Sequence, residues 1–231
     1  MIAARPALGR RGTVEGVGRE AAYVEAGGFV AVLTVGPPVL PNGAQVARLP
    51  AVGEEVVVHA DEVWDPRVPW PRGELVGAPD EVVGTAGEVV GAPDGDDEIV
   101  AGARDEVVAL AAAVRTRDPA AAAAAGARLI GRGGGLTPEG DDLVAGVAAV
   151  VAAGPWPDKE AWLQALVGDD LRRRTTALSA TLLELATKGM GPEPLQAWLA
   201  GDAAALARLT AIGHSTGRAI AAGAALAVRN V

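Results

Sequence analysis

The hydrophobic pattern changes period once along this chain, near residue 98, and that single change limits the folds open to it. Before it, short Val-rich runs at residues 13–17, 22–25, 29–35, 45–49 and 55–59 are separated by Gly-Gly, Gly-Pro-Pro and Pro-Asn-Gly. Runs of this length bounded by turn formers predict an antiparallel β module, a small barrel or sandwich. His59 ends the last run and reads as a structural histidine. After the change, apolar residues recur at helical spacing. Helices are predicted over 98–117, from Asp118-Pro119 to about Ile130, and over an apolar stretch at 143–153. Further helices are expected around Trp162, Leu163 and Leu166, then over 168–188, 192–199, 203–212 and from about Ser215 to Val228. Roughly seven helices in about 130 residues form a compact bundle. The expected fold class is therefore α+β, with residues 1–97 as the β-rich module and residues 98–231 as the α-helical bundle.

Between these halves, Val-Gly-Ala-Pro-Asp at 76–80 recurs at 90–94. Two copies are too few for a solenoid, so residues 76–97 read as a Gly-, Pro- and Asp-rich linker. The acidic cluster that ends it reads as a solvated face.

Half of the residues are apolar but aromatics make up only 3%, so the core has to be built from Ala, Val and Leu, with five Trp for bulk. Small side chains let helices approach closely. A net charge of −9 argues against a nucleic-acid surface, because phosphate backbones need a basic stripe. The absence of cysteine removes disulfides, zinc–thiolate sites and thiol catalysis, and two histidines are too few for a multi-His metal centre. No stretch has the length of a membrane span or a signal-peptide core, so a cytoplasmic protein without membrane contact is expected.

Three segments in the helical half carry chemistry. The first is Gly131-Arg132-Gly133-Gly134-Gly135-Leu136-Thr137-Pro138-Glu139-Gly140-Asp141-Asp142, ahead of the apolar helix. Thr137 suits an N-cap and Pro138 the first helical position. Glycines give a ligand access to the main chain, and unpaired amides at a helix N-terminus attract anions. A tight turn is the plainer explanation for the glycines, and the helix dipole alone explains the acids. Asp141 and Asp142 nonetheless project about 100° apart, so one can orient an amine or a Mg2+ ion. Neither a Walker sequence nor a Rossmann fingerprint is present.

The second segment holds Thr175, Thr176, Ser179 and Thr181 within an apolar helical pattern. Thr175 and Ser179 are expected to share a face, unless the hydroxyls simply bond back to helix carbonyls. Arg172, Arg173 and Arg174 before it read as surface charges paired with Asp169 and Asp170. The third is Gly213-His214-Ser215-Thr216-Gly217-Arg218 before the last helix, where Ser215 or Thr216 suits an N-cap. His214 is the titratable candidate for acid–base work. No order or spacing supports a Ser–His–Asp hydrolase.

Together these segments resemble a bacterial family of formerly unknown function. Residues 131–146 resemble its G-x-G-x-G-L-T-P-x-G-D-D-x-x-x-G signature, residues 175–189 its T-T-x-x-S segment, and residues 213–223 its G-H-x-S/T-G…G segment. Trp64-Asp65-Pro66 gives a vaguer match to its β-rich front. The family includes the AllH-type small subunit of oxamate carbamoyltransferase, a system of anaerobic allantoin breakdown and so of purine catabolism. Three positions depart from its pattern: Arg132 stands for an apolar residue, Gly134 for a frequent Pro, and Ala219 for an acidic residue. The Ser-Thr-Arg-Thr of ordinary transcarbamoylases is absent.

The resemblance implies carbamoyl transfer with carbamoyl phosphate or a small carboxylate such as oxamate as ligand. Gly133, Gly134, Gly135, Thr137, Thr175, Thr176, Ser179, Ser215 and Thr216 would bind this small anionic metabolite. His214, Asp141 and Asp142 would carry the chemistry. No cofactor is certain, Mg2+ is a candidate, and the metal ligands are unknown. The alternative is a non-catalytic assembly or regulatory subunit, with larger protein subunits holding the active site. A purely structural bundle would close the glycine loop against protein.

Overall fold

The computed structural model describes residues 2–71, 75 and 103–230. The expected linker and the start of the first predicted helix lie outside these residues.

The N-terminal part is one seven-stranded sheet in the order β6-β2-β3-β4-β5-β1-β7. Its strands are β1 (Ile2–Ala4), β2 (Arg11–Val17), β3 (Ala21–Ala26), β4 (Phe29–Thr34), β5 (Gly43–Gln45), β6 (Glu55–Val57) and β7 (Glu62–Trp64). Two pairings are parallel, β4 with β5 and β1 with β7, so the module is not wholly antiparallel. The predicted strand at 45–49 is the shorter β5, displaced toward Gly43. His59 follows β6 and is exposed, so it is no buried structural histidine.

The β3–β4 hairpin explains the Gly-Gly punctuation. Ala26 pairs with Phe29, leaving Gly27 and Gly28 as a two-residue loop with φ of 63° and 85°. A type I′ turn needs positive φ at both central residues, which glycine supplies without strain. β4 is apolar from Phe29 to Leu33 because both its faces are covered there. Phe29, Ala31 and Leu33 pack into the sheet's own core, whereas Val30 and Val32 pack on Leu178 and Leu182 from the helical half.

The C-terminal part contains α1 (Arg104–Thr116), α2 (Pro119–Leu129), α3 (Glu139–Ala153), α4 (Lys159–Val167), α5 (Leu171–Arg174), α6 (Ala177–Ala186), α7 (Glu193–Leu199), α8 (Ala205–Thr210) and α9 (Thr216–Asn230). α3 is the axis of this bundle and is buried all round from Leu143 to Val151. It packs most extensively on α9, and also on α6, α4 and α2. Trp162 and Trp198 fill the core where Ala and Val leave space.

The predicted helix over 168–188 is interrupted. α5 ends at Arg174, Thr175 is fully extended with φ −143° and ψ −179°, and Thr176 caps α6 by accepting the Ser179 N–H at 3.1 Å. Thr175 and Ser179 therefore do not share a helical face. The Thr175 hydroxyl is spent on a partner outside its own segment, which its backbone leaves the helix to reach.

Sheet and bundle meet along α6. Thr181 Oγ1 accepts the Val30 N–H at 3.0 Å and donates to the Ala177 carbonyl at 2.9 Å. Leu185 joins the core of the sheet. Among the described residues no helix is long and apolar enough to cross a membrane.

Candidate functional site

The glycine loop ends where α3 begins, one residue later than the cap chemistry predicts. Pro138 is the N-cap, with φ −53° and ψ 138°, and Glu139 opens the helix. Thr137 is thereby free of capping duty, and its hydroxyl shares a 2.8 Å hydrogen bond with Thr216 Oγ1 at the start of α9. Thr176 Oγ1 donates to the Leu136 carbonyl at 2.6 Å. The three segments thus converge on one loop.

The glycines of this region divide into two physical classes. Some are required by backbone that lies against them. A Cβ on Gly131 would stand 2.2 Å from the Arg174 carbonyl oxygen, and one on Gly140 2.1 Å from that of Leu129. Gly146, Gly217 and Gly223 face the backbone oxygens of Ile220, Leu209 and Leu143 in the same way. These are packing glycines. At the loop itself, a Cβ on Gly134 or Gly135 would meet nothing within 4 Å. Gly133 and Gly135 take φ of 113° and 82°, a left-handed region closed to most side chains. Gly133, Gly134, Gly135 and Leu136 are exposed, and among the described residues their amides have no hydrogen-bond acceptor.

The two aspartates lie behind this loop, 1% and 2% exposed. Asp141 accepts the Gly131 N–H at 2.6 Å with Oδ1 and the Thr175 hydroxyl with Oδ2. It is the pin that ties the loop to the α5–α6 junction. Burial pushes its pKa up, partly offset by Thr175, the Gly131 amide, Ser179 and the positive charge of Arg174. Ser179 Oγ is close enough to Asp141 to contribute but makes no aligned hydrogen bond. Asp142 is pushed up to about 8, chiefly by burial. Thr216 and Thr137 lower it, and Asp141 and Glu139 raise it further. Its Oδ2 has no partner.

Removing the Thr175 hydroxyl should therefore weaken the fold. Thr175→Val is expected to cost about 1–3 kcal/mol, the penalty for stripping a buried polar group of a donor, while Thr175→Ser retains stability. Urea denaturation of both variants is the check, and a Thr175→Val protein as stable as the parent would rule the pin out.

His214 sits exposed in the turn before α9, and among the described residues no hydrogen bond links it to Asp141 or Asp142. Ser215 is half-buried beside it, its carbonyl accepting the Ala219 N–H at 3.0 Å. Arg174 was not legible as part of this region. It is no surface charge: Nη1 donates to the Val167 carbonyl at 2.9 Å and Nη2 to that of Gly126 at 2.8 Å. Of its neighbours, Arg173 does pair with Asp170 at 3.1 Å, whereas Arg172 pairs with Glu184 at 3.0 Å and Asp169 takes Gln164. A run of arginines signals charge, and only the chain's path shows which one turns inward.

Among the described residues no group of three or more His, Asp or Glu stands together as a metal site. Asp141 has committed both oxygens and Asp142 is buried, so the pair does not present the open carboxylate oxygens that Mg2+ prefers.

The family model described as oxamate carbamoyltransferase subunit AllH matches residues 129–228. Over these residues, less than half of the chain, the sequence is similar to that family. The match runs from the last residue of α2 into α9 and so contains the glycine loop, both aspartates, Thr175, Thr176, Ser179 and the turn before α9. No curated protein and no solved structure matches the chain. The stretch that resembles the family is thus the loop, its buried pin and the helices that close over them.

Proposed function

We propose that the chain is a component of a carbamoyl-transfer enzyme and binds a small anion, carbamoyl phosphate or a carboxylate such as oxamate, at the glycine loop. The observation that carries this reading is the set of unpaired amides at residues 133–136, exposed just ahead of a buried helix of 15 residues. Such amides, with the helix dipole behind them, attract negative charge. The raised pKa of Asp142 supports it: a neutral Asp142 removes a charge that would repel the ligand. Thr137 and Thr216 supply hydroxyls at the rim, and His214 is the proton-transfer candidate. The family description suits an enzyme subunit.

A second reading has its own support. Both carboxylates point into the fold, so the chain would bind the anion while a larger partner subunit provides the acid–base groups. Carbamoyl transfer by the chain alone favours the first reading, and ligand binding without turnover favours the second.

Thermal unfolding with carbamoyl phosphate, inorganic phosphate and oxamate, each with and without Mg2+, tests the site. A ligand at one hundred times its Kd should add about 2.7 kcal/mol. Gly134→Asp places a negative charge where the structure has open space and no left-handed φ. Its own stability should change little, by about 0.5 kcal/mol or less, and the ligand response should vanish. An unaltered response in that variant, or none in the parent, would overturn the loop as the site.

A further inference from the structure

In a chain of net charge −9, a cluster of four cations with one carboxylate requires an explanation. One occurs at the far end of α6 from the glycine loop, about 15 Å along a ten-residue helix. A cleft of about 330 Å3 opens there between α6, the Gly27-Gly28 hairpin tip and the segment after β1. Arg5, Arg10, Arg172 and Lys188 line it, with Glu184 as the one carboxylate among its described lining residues. Glu184 is already held by Arg172 at 3.0 Å. Arg5 and Lys188 are exposed and make no ion pair among the described residues. Arg10 lies 4.2 Å over the Phe29 ring and donates Nε to the Pro6 carbonyl at 3.2 Å, which fixes its guanidinium in place.

The floor is apolar, formed by Phe29, Leu185 and Met190. The hairpin tip lies against one of these charges: a Cβ on Gly28 would stand 3.5 Å from the Arg172 guanidinium carbon, at ordinary contact distance. Like charges gathered over an apolar floor repel one another until an anion joins them. The volume falls at the lower end of small-molecule sites. We propose that this cleft is a second ligand site, for a small organic anion whose phosphate or carboxylate groups are taken by Arg5, Arg10 and Lys188. Its less polar body rests on Phe29, Leu185 and Met190. The guanidinium of Arg10 offers its two terminal nitrogens to a planar oxyanion. Arg172 borders the site but is half-neutralised by Glu184.

This site shares no residue with the glycine loop and stands or falls separately from it. Calorimetric titration at low salt with inorganic phosphate, pyrophosphate and citrate tests it in the parent, in an Arg5→Ala/Lys188→Ala variant and in Gly134→Asp. At least one probe should bind the parent and Gly134→Asp equally, and bind the double variant at least tenfold more weakly. Tighter binding of pyrophosphate identifies a phosphate ligand, and tighter binding of citrate a polycarboxylate. An Arg5→Lys/Lys188→Arg variant keeps the charges and should retain the site. Absence of binding by all three probes overturns the proposal. So does binding that Gly134→Asp abolishes and Arg5→Ala/Lys188→Ala leaves intact, since the anion then sits on the loop alone.

Discussion

Asp142→Asn should raise the melting temperature at pH 9 and leave it almost unchanged near pH 4. The Asp142 carboxyl has a pKa of about 8 in the fold against 3.8 as its ordinary value. Below about pH 4 it is protonated in both folded and unfolded chains, and its burial carries no charge penalty. Between about pH 4 and 8 the unfolded chain ionises while the folded one holds its proton. Stability then falls by about 1.36 kcal/mol per pH unit. Above about pH 8 the folded group ionises as well, and the loss levels off. The full span is about 6 kcal/mol as a ceiling. Asparagine has nearly the same shape and no charge, so the variant should lack this slope. At about 2–4 °C per kcal/mol for a chain of this size, the gap at pH 9 is at most about 10–20 °C. Melting curves of both proteins from pH 4 to 9 decide the matter, and parallel curves would show that Asp142 is not buried as a neutral acid. Asp141 is raised too, but it is present in both proteins and cancels in the comparison.

Gly223→Ala should destabilise, although alanine normally improves a helix interior by about 1 kcal/mol over glycine. A Cβ at Gly223 would lie 2.0 Å from the Leu143 carbonyl oxygen and 3.0 Å from the Val147 nitrogen. Gly146 answers it from the other side, 2.2 Å from the Ile220 oxygen and 2.9 Å from the Ala224 nitrogen. The obstructing atoms are backbone and cannot swing away, so α3 and α9 must separate along their largest contact. Overpacking of this kind costs about 1–3 kcal/mol, and here the upper figure applies because two helix axes are displaced. Gly146→Ala should cost as much. Urea denaturation of either variant gives the answer, and a midpoint equal to the parent's would mean that the helices do not cross at these glycines.

Much of this was legible in the residues. The switch from Val-rich runs to helical spacing separates sheet from bundle, and the apolar stretch after the glycine loop is the buried axis that its composition implies. Three segments distant in sequence do meet at one loop. The failures have a common cause: they concern where the backbone goes rather than what the residues prefer. Nothing in Thr175 or its neighbours announces that it leaves the helix to reach Asp141. Arg174 looks like Arg172 and Arg173 until its path carries it inward. β1 and β7 span three residues each, too short to leave a periodic trace. Glycine is equally silent about its purpose. Gly131 and Gly140 yield to nearby carbonyls, whereas Gly134 and Gly135 face open space, and the letters are the same.

The Val30 peptide group sets an order of events during synthesis. Its N–H is taken by Thr181, 151 residues later, and its carbonyl by the Asn42 side chain at 2.8 Å. When β4 emerges from the ribosome it can pair with β3 at once, but one of its amides and one of its faces must wait for α6. Contacts of such long separation form late and slowly. For most of translation the nascent sheet carries Val30 and Val32 without Leu178 and Leu182 over them. The chain's period of greatest exposure to mispairing or capture by a chaperone is therefore the interval before α6 arrives.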